Sequence, residues 1–402
     1  MTNYRIKVAF GSVPKDGGTF TFYRNQRKAL KKLGVDMYCV SIGPEQADLW
    51  EESYADENCV LLAPSVESVK GQAKIFVQWC QDERIDIVMA INSKAILSSL
   101  AHLPSHIKIV SRCANAFEHG YRITMSGGNR LSRIVALTPR LRNDLIESYG
   151  ASESMITLIP NGIEDSMFKA DRFQADRNAL NIGFLGRLEH QQKGVMHIPP
   201  IMEELKKTGI PFHLKVAGKG KHRAELETEL SKVLSKSEYE FLGALNPNEI
   251  PSFFSEQDVY LFTSHFEGCP NALLEAMMAS VAPVSWIIKG ITDFIIEDGK
   301  TGFLLETGDY QGMASSLAEL QNDREALLKI RTNAAAEARA RFTTEICAQE
   351  YQKLFKQVIQ EPSKKVEVLS WNDFKIDPNF GREKLYWLPY QWRKRIKQLV
   401  KG

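Results

Sequence analysis

The stretch Phe266–Ser280, FEGCPNALLEAMMAS, follows a short apolar run, DVYLFTS (Asp258 to Ser264), and sets the reading of the whole chain. The run reads as a strand, Glu267-Gly268 as a turn, and the remainder as a helix opening near Pro270 and Asn271. Proline suits the first helical turn, where its missing N–H would have lacked a partner anyway. Gly268 permits a sharp bend and a close approach of ligand to backbone. The amides of Asn271, Ala272 and Leu273 are then expected to point outward from the positive end of the helix, a place for hydroxyl oxygens or phosphate. Two carboxylates bracket this platform. Glu267 stands ahead of the helix, and Glu275 sits within the apolar run ALLEAMMA, where an unpaired buried carboxylate is costly. Either could also be an ordinary solvated glutamate.

The order Glu267, Gly268, Pro270, Asn271, Glu275, Ala276 resembles the E-x7-E signature of retaining glycosyltransferases of family 4. The resemblance implies a GT-B fold: two Rossmann-like, doubly wound parallel-sheet domains facing across a cleft. It implies that Glu267 lies by the sugar of a nucleoside-diphosphate sugar and that Glu275 accepts its ribose hydroxyls.

Working outward, the second half begins with LNIGFL (Leu180 to Leu185) and continues Gly186-Arg187-Leu188, then Lys193-Gly194. Two fixed cations at a strand's carboxyl end can neutralise a departing diphosphate without a metal. They can equally be surface residues. GRL followed by KG is a second family feature, with one residue more between Arg187 and Lys193 than in the commonest form. A strand at Phe212 to Ala217 leads into Gly218-Lys219-Gly220, which opens another helix. In the resembled family the backbone around Leu242 and Gly243 lies by the nucleobase.

The first half has the same grammar. RIKVAFG (Arg5 to Gly11) is a strand, SVPKDGGTF a glycine loop, and Phe20 to Leu33 an amphipathic helix. The GxGxxG spacing of a dinucleotide site is absent. The resemblance puts Gly17 and Gly18 near the donor diphosphate and the acceptor; alternatively they form a tight turn. Alternation of strands and helices continues to Ile159, which argues for a parallel sheet covered on both faces. Ligands of such sheets bind beyond the strand carboxyl ends, which singles out the loop ANAFEHGYRIT after Cys113. There His119 could hold a sugar hydroxyl or the acceptor, or be a satisfied loop histidine; Arg112, Arg122, Arg130 and Arg133 give the region a basic tint. The polar stretch GIEDSMFKADRFQADRNA reads as an interdomain linker. The organisation expected is a domain over 1–165 for the acceptor, one over 166–345 for the nucleotide sugar, and 346–402 returning toward the first.

Composition narrows the classes. With 402 residues, 44% apolar and 25% charged, the chain has the make-up of an ordinary two-domain globular protein, and a net charge of +2 offers no global field for nucleic acid. Six scattered cysteines without CxxC or metal-ligand spacing are expected to stay reduced in the cytoplasm. The N-terminus lacks a signal-peptide core, and no run is long enough to span a bilayer. In the tail, Tyr386, Trp387, Tyr390 and Trp392 are interleaved with Arg382, Lys384, Arg393, Lys394, Arg395, Lys397 and Lys401. That pattern suits peripheral contact of the 382–401 tail with anionic headgroups at the inner face of a membrane, or packing of the aromatics on the first domain with the cations solvated.

The expected activity is metal-independent, retaining transfer of a sugar, from UDP rather than GDP, to a hydroxyl of a glycan, glycolipid or protein, without a resident cofactor. Cell-surface polysaccharide or glycolipid synthesis follows by analogy with the family. Arg187, Lys193, Glu267 and His119 are the candidate catalytic groups. Gly17, Gly18, Gly218, Leu242, Gly268, Pro270, Asn271, Ala272, Leu273 and Glu275 join Arg187 and Lys193 as donor contacts. Other enzymes of the same fold, an epimerase or a phosphorylase, and a non-catalytic sugar-nucleotide binder with a membrane-interacting tail are the alternatives.

Overall fold

A computed structural model of the chain describes residues 4–11, 18–168, 178–362 and 366–380. Among these, the chain divides into two compact units. One comprises the residues up to Leu137, Leu141–Gly162 and those from Cys347 onward; the other comprises Thr138–Arg140 and Ile163–Ile346.

The first unit is built on seven parallel strands: β1 (Ile6–Phe10), β2 (Val35–Ile42), β3 (Cys59–Leu62), β4 (Ile87–Ala90), β5 (Lys108–Cys113), β6 (Leu131–Ala136) and β7 (Ile156–Leu158). Their order in the sheet is β3-β2-β1-β4-β5-β6-β7, so the winding reverses between β1 and β4. The second unit repeats the plan with six: β8 (Leu180–Leu185), β9 (Phe212–Ala217), β10 (Tyr239–Gly243), β11 (Val259–Phe262), β12 (Ala282–Trp286) and β13 (Phe303–Leu305). The order β10-β9-β8-β11-β12-β13 places its reversal between β8 and β11. Helices on both faces bury these strands, which is why β4, β5, β11 and β12 are apolar or fully buried along their length rather than alternating. Both units are thus Rossmann-like, and the α/β fold expected from the alternating pattern is the one observed.

In the second unit the core is one cluster, with Leu180, Ile182 and Phe184 of β8, Leu214 and Val216 of β9 and Trp286 of β12 buried against Ile198, Ile201, Met202 and Leu205 of the helix Ile198–Lys207. The cluster is built from hydrophobic side chains, so the charged groups that occur at the strand ends stand out.

Several local expectations are corrected. The segment after Cys113 is not all loop: Glu118–Thr124 is a helix, closed by Arg122 pairing with Glu118 four residues back. The stretch read as a linker is partly built in, for Ile163 and Phe168 are buried and Ile163 bridges to Thr343. Its residues 169–177, Gly17 and the 382–401 tail lie outside the described residues. In the first unit, the helix Thr344–Gln360 brings Tyr351 to 5.5 Å from Phe22, ring centre to ring centre. Beyond it Trp371 stacks on His102 at 4.3 Å, and the Asp377 amide donates to Ser98 Oγ at 2.9 Å.

Candidate functional site in the second unit

At a winding reversal the loops leaving two neighbouring strands part in opposite directions and open a crevice at the strand carboxyl ends. In the second unit those strands are β8 and β11. After β8 come Gly186-Arg187-Leu188 and the short helix His190–Lys193; after β11 come His265, Glu267 and the helix Asn271–Met278.

Backbone hydrogen bonds lace these loops together. The Gly186 amide donates to Ala217 O at 3.0 Å and the Leu188 amide to Lys219 O at 2.9 Å, tying the β8 exit to the β9 exit. Gly218 allows that approach: its φ is +141°, and a Cβ placed there would stand 1.8 Å from Gly186 O. On the other side the His265 amide donates to Gln192 O at 2.8 Å, and the Thr263 hydroxyl donates to Lys193 O at 2.9 Å. Gly194, with φ +60°, makes this seam close, since a Cβ there would meet Thr263 O at 2.0 Å.

The seam aligns the charged side chains. Lys193 Nζ donates to Glu267 Oε1 at 2.6 Å, and the two side chains are 16% and 8% exposed. Gln192 Nε2 reaches the other carboxylate oxygen at 3.5 Å. A pair so poorly solvated keeps its geometry, because parting it would leave an uncompensated buried charge. Lys193 is therefore committed to Glu267 in this structure. Arg187 is exposed; it hydrogen-bonds Gln192 and lies 3.8 Å from Glu189. The structure thus brings Lys193 and Glu267 together and links Arg187 to them through Gln192.

Glu275 is half-buried in the helix Asn271–Met278, and burial pushes its carboxyl up to about 7. No hydrogen bond or ion pair satisfies this carboxyl among the described residues. The phenol of Tyr260, raised well above its ordinary value by burial and then by the charges of Glu267 and Glu275, places both carboxylates in one electrostatic neighbourhood; its hydroxyl donates to Leu185 O at 3.0 Å.

One of the three expected outward amides is committed. The Leu273 N–H donates to Pro270 O at 3.1 Å, a tightened first turn that draws it off the platform, and Leu273 itself is fully buried. Asn271 and Ala272 stand half-buried in that turn, preceded by buried Pro270 and half-buried Gly268; Leu242, also half-buried, is the last residue but one of β10.

Candidates from the first half fare differently. Gly18 is the first residue of the helix Gly18–Lys32 and is exposed. His119 is exposed in the first unit, edge-on to Phe380 at 6.3 Å. The basic tint near it is largely consumed by local contacts. Arg112 stacks over Phe22 at 3.9 Å and donates to Asn161 Oδ1, Arg130 caps the carbonyls of Leu103 and Pro104, and Arg133 pairs with Glu361.

Sequence reasoning passed over a group that the fold assembles beside the ion pair. One ring nitrogen of each of His190, His197 and His265 lies within 4.8 Å of the others. Burial, then the neighbouring rings of His265 and His190, pulls His197 down to about 4. Spacing gives no signal of this cluster, because His265 lies 68 residues beyond His197, past three intervening strands.

Residues 16–166 match the family model described as Glycosyltransferase Family 4, and residues 167–337 match the one described as Glycosyl transferases group 1. Among curated proteins, the capsular polysaccharide biosynthesis glycosyltransferase CapM of Staphylococcus aureus is 27% identical over 248 residues, covering 57% of this chain and 62% of that one. The 2-deoxystreptamine glucosyltransferase of Streptomyces kanamyceticus is 27% identical over 176 residues, 41% of this chain and 45% of that one. The chain thus spans about half to three-fifths of these relatives' length. Among solved structures, a glycosyltransferase from Rickettsia africae superposes with a TM-score of 0.73 at 14% identity, covering 89% of this chain and all of that one. Anabaena HepE, solved with UDP and glucose, gives 0.70 at 18% identity, covering 88% and 100%. Two consecutive family matches, each on one parallel-sheet unit, and the likeness to these solved structures show that the fold is of the GT-B type.

Proposed function

We propose that the chain transfers a sugar from a nucleoside-diphosphate sugar, UDP rather than GDP, to a hydroxyl of a glycan, glycolipid or protein in cell-surface polysaccharide or glycolipid synthesis. The anomeric configuration is retained and no metal bridges the diphosphate. The observation that carries this reading is the buried Lys193–Glu267 pair at the β8/β11 reversal, in one electrostatic neighbourhood with the unpaired carboxyl of Glu275.

The parts divide as follows. Glu275, short of a hydrogen-bond donor, takes the ribose hydroxyls. Glu267, held in place by Lys193, orients the sugar. Lys193 and the exposed charge of Arg187 stabilise the diphosphate as its bond to the anomeric carbon breaks. The acceptor oxygen forms its bond on the face that the diphosphate leaves, and the acceptor proton leaves with a phosphate oxygen. In this reading Gly17 and Gly18 serve the donor diphosphate and the acceptor, His119 serves a sugar hydroxyl or the acceptor, and the 382–401 tail meets the membrane surface. Relatives named for capsular polysaccharide synthesis and a structural neighbour solved with UDP support the donor and acceptor classes.

The test is a thermal-shift series with UDP, GDP, ADP and their sugar conjugates, each against a nucleotide-free control at the same EDTA concentration, followed by NMR of any glycoside formed. Stabilisation by uridine nucleotides that persists in EDTA, with a retained product anomer, is the expected result. Absence of both nucleotide stabilisation and transfer would overturn the proposal.

A further inference from the structure

The sugar transfer proposed above assigns His190, His197 and His265 no task, yet their rings pack 4.9–5.2 Å apart, centre to centre. The hydrogen bonds around them fix which nitrogens are open. His265 Nδ1 faces Gln191 O at 3.2 Å, and a carbonyl only accepts, so Nδ1 carries the proton and Nε2 presents a lone pair. His197 Nε2 lies 2.7 Å from that lone pair and so donates to it, while its Nδ1 accepts from the Tyr310 hydroxyl at 2.9 Å. A single change of tautomer, with the Tyr310 hydroxyl turning from donor to acceptor, moves the His197 proton to Nδ1. Two Nε2 lone pairs then face one point and repel each other unless a cation stands between them. His190 is the adjustable member: its Nδ1 receives the Met196 amide only at 3.3 Å, a long bond that the ring gives up easily.

We propose that these three histidines bind one divalent transition-metal ion of the zinc type, with water in the fourth position. Three neutral imidazoles and an open position form a known donor set for zinc. Imidazole suits zinc, copper and nickel; magnesium and calcium prefer oxygen, which the trio does not offer. Tyr310 and the Gln191 carbonyl act as the outer partners that orient ligating rings. Zinc–nitrogen bonds of about 2.0–2.1 Å in a tetrahedron hold nitrogens about 3.3 Å apart, so the present 2.7 Å between His197 and His265 opens by about 0.6 Å. Ring rotation suffices for that. Because His190 shares a helix with Lys193, and His265 a loop with Glu267, the ion ties together the two segments that carry the ion pair.

The experiment uses the untagged full chain, freed of metal and titrated with Zn2+ against a chromophoric chelator, and with Co2+ followed in the visible. One saturable equivalent, tetrahedral cobalt bands and a higher unfolding midpoint with zinc are expected. His190→Gln and His265→Gln should each remove the saturable equivalent, Tyr310→Phe should weaken it roughly tenfold or more, and His213→Gln, outside the cluster, should leave it intact. Failure of the wild-type chain to bind an equivalent, or to give tetrahedral cobalt bands, would overturn the proposal whether or not the variants fold. So would binding that His190→Gln and His265→Gln leave unchanged. These readouts do not involve sugar transfer, so a failed transferase reading leaves them standing.

Discussion

Glu275→Gln should make the protein more stable and bind nucleotide less well, and the first effect should depend on pH in a defined way. An unfolded chain releases the Glu275 proton near the ordinary 4.5, whereas the folded protein holds it to about 7. Between those values the folded state retains a proton that the unfolded state has lost, so wild-type stability falls as pH rises through this window and levels off above it. A gap from 4.5 to about 7 corresponds to about 3 kcal/mol. Water at the exposed edge of a half-buried group screens part of that, leaving about 2 kcal/mol. Glutamine keeps the shape of the protonated acid and never ionises. The variant should therefore match wild type near pH 4.5 and exceed it by about 4–8 °C in unfolding midpoint at pH 8, at the usual sensitivity of a unit of this size.

The same carboxyl has the opposite effect on ligand. Ribose hydroxyls donate to an ionised carboxylate, so binding favours the deprotonated form and wild-type nucleotide affinity should rise with pH until the group is fully ionised. Glu275→Gln should flatten that rise and bind more weakly at pH 8. Calorimetric scans at pH 4.5, 6 and 8, paired with nucleotide titrations by isothermal calorimetry, read both. A midpoint difference that is the same at all three pH values would refute the desolvation argument. Equal nucleotide affinity in variant and wild type would refute the ribose assignment.

Arg187→Ala should lower turnover more than nucleotide affinity, because an exposed guanidinium on Gln192 gains its value only as charge develops on the leaving diphosphate; an unchanged kcat would sink that role. Glu267→Gln and Lys193→Met should each cost about 3–5 kcal/mol in denaturant unfolding, since each strands the other charge in a poorly solvated place, and the double variant should recover part of the loss. Strict additivity of the two losses would show that the pair is not the source. Gly218→Ala should lower the unfolding midpoint and weaken nucleotide binding together, as its Cβ meets Gly186 O at 1.8 Å and must part the two strand-end loops; a variant with wild-type values of both would show that the loops are free to separate.

The sequence carried the fold because its signals were local and repeated. Strands such as DVYLFTS and LNIGFL are apolar runs of strand length, and each is followed by glycine and then by a helix, so type and order are written segment by segment. Helix ends and turn detail were less legible. The Glu118–Thr124 helix has only seven residues and an exposed start, too short for periodicity to separate it from loop. The Leu273 amide was misread for a related reason: whether a first-turn N–H faces solvent or closes onto Pro270 depends on a tightening that no residue identity announces.

The site was legible in its members and not in its pairings. Arg187, Lys193, Glu267 and Glu275 each sit where a strand-end loop should put chemistry, but nothing in a list of positions says that Lys193 spends its charge on Glu267, 74 residues away. That pairing follows from strand order. Once β8 and β11 are neighbours at the reversal, the loops leaving them must run side by side, and opposite charges on those loops will find each other out of water. The same adjacency explains why three histidines escaped notice. Two lie seven residues apart in successive turns and the third arrives with the β11 loop, so the cluster exists only because the seam of Gly194 against Thr263 O brings the loops within hydrogen-bond reach. Long-range polar groupings at a winding reversal are thus a product of topology, and a sequence reading that has settled the topology can look for them: any charged or imidazole side chain in the first turn after β8 should be weighed against those in the loop after β11.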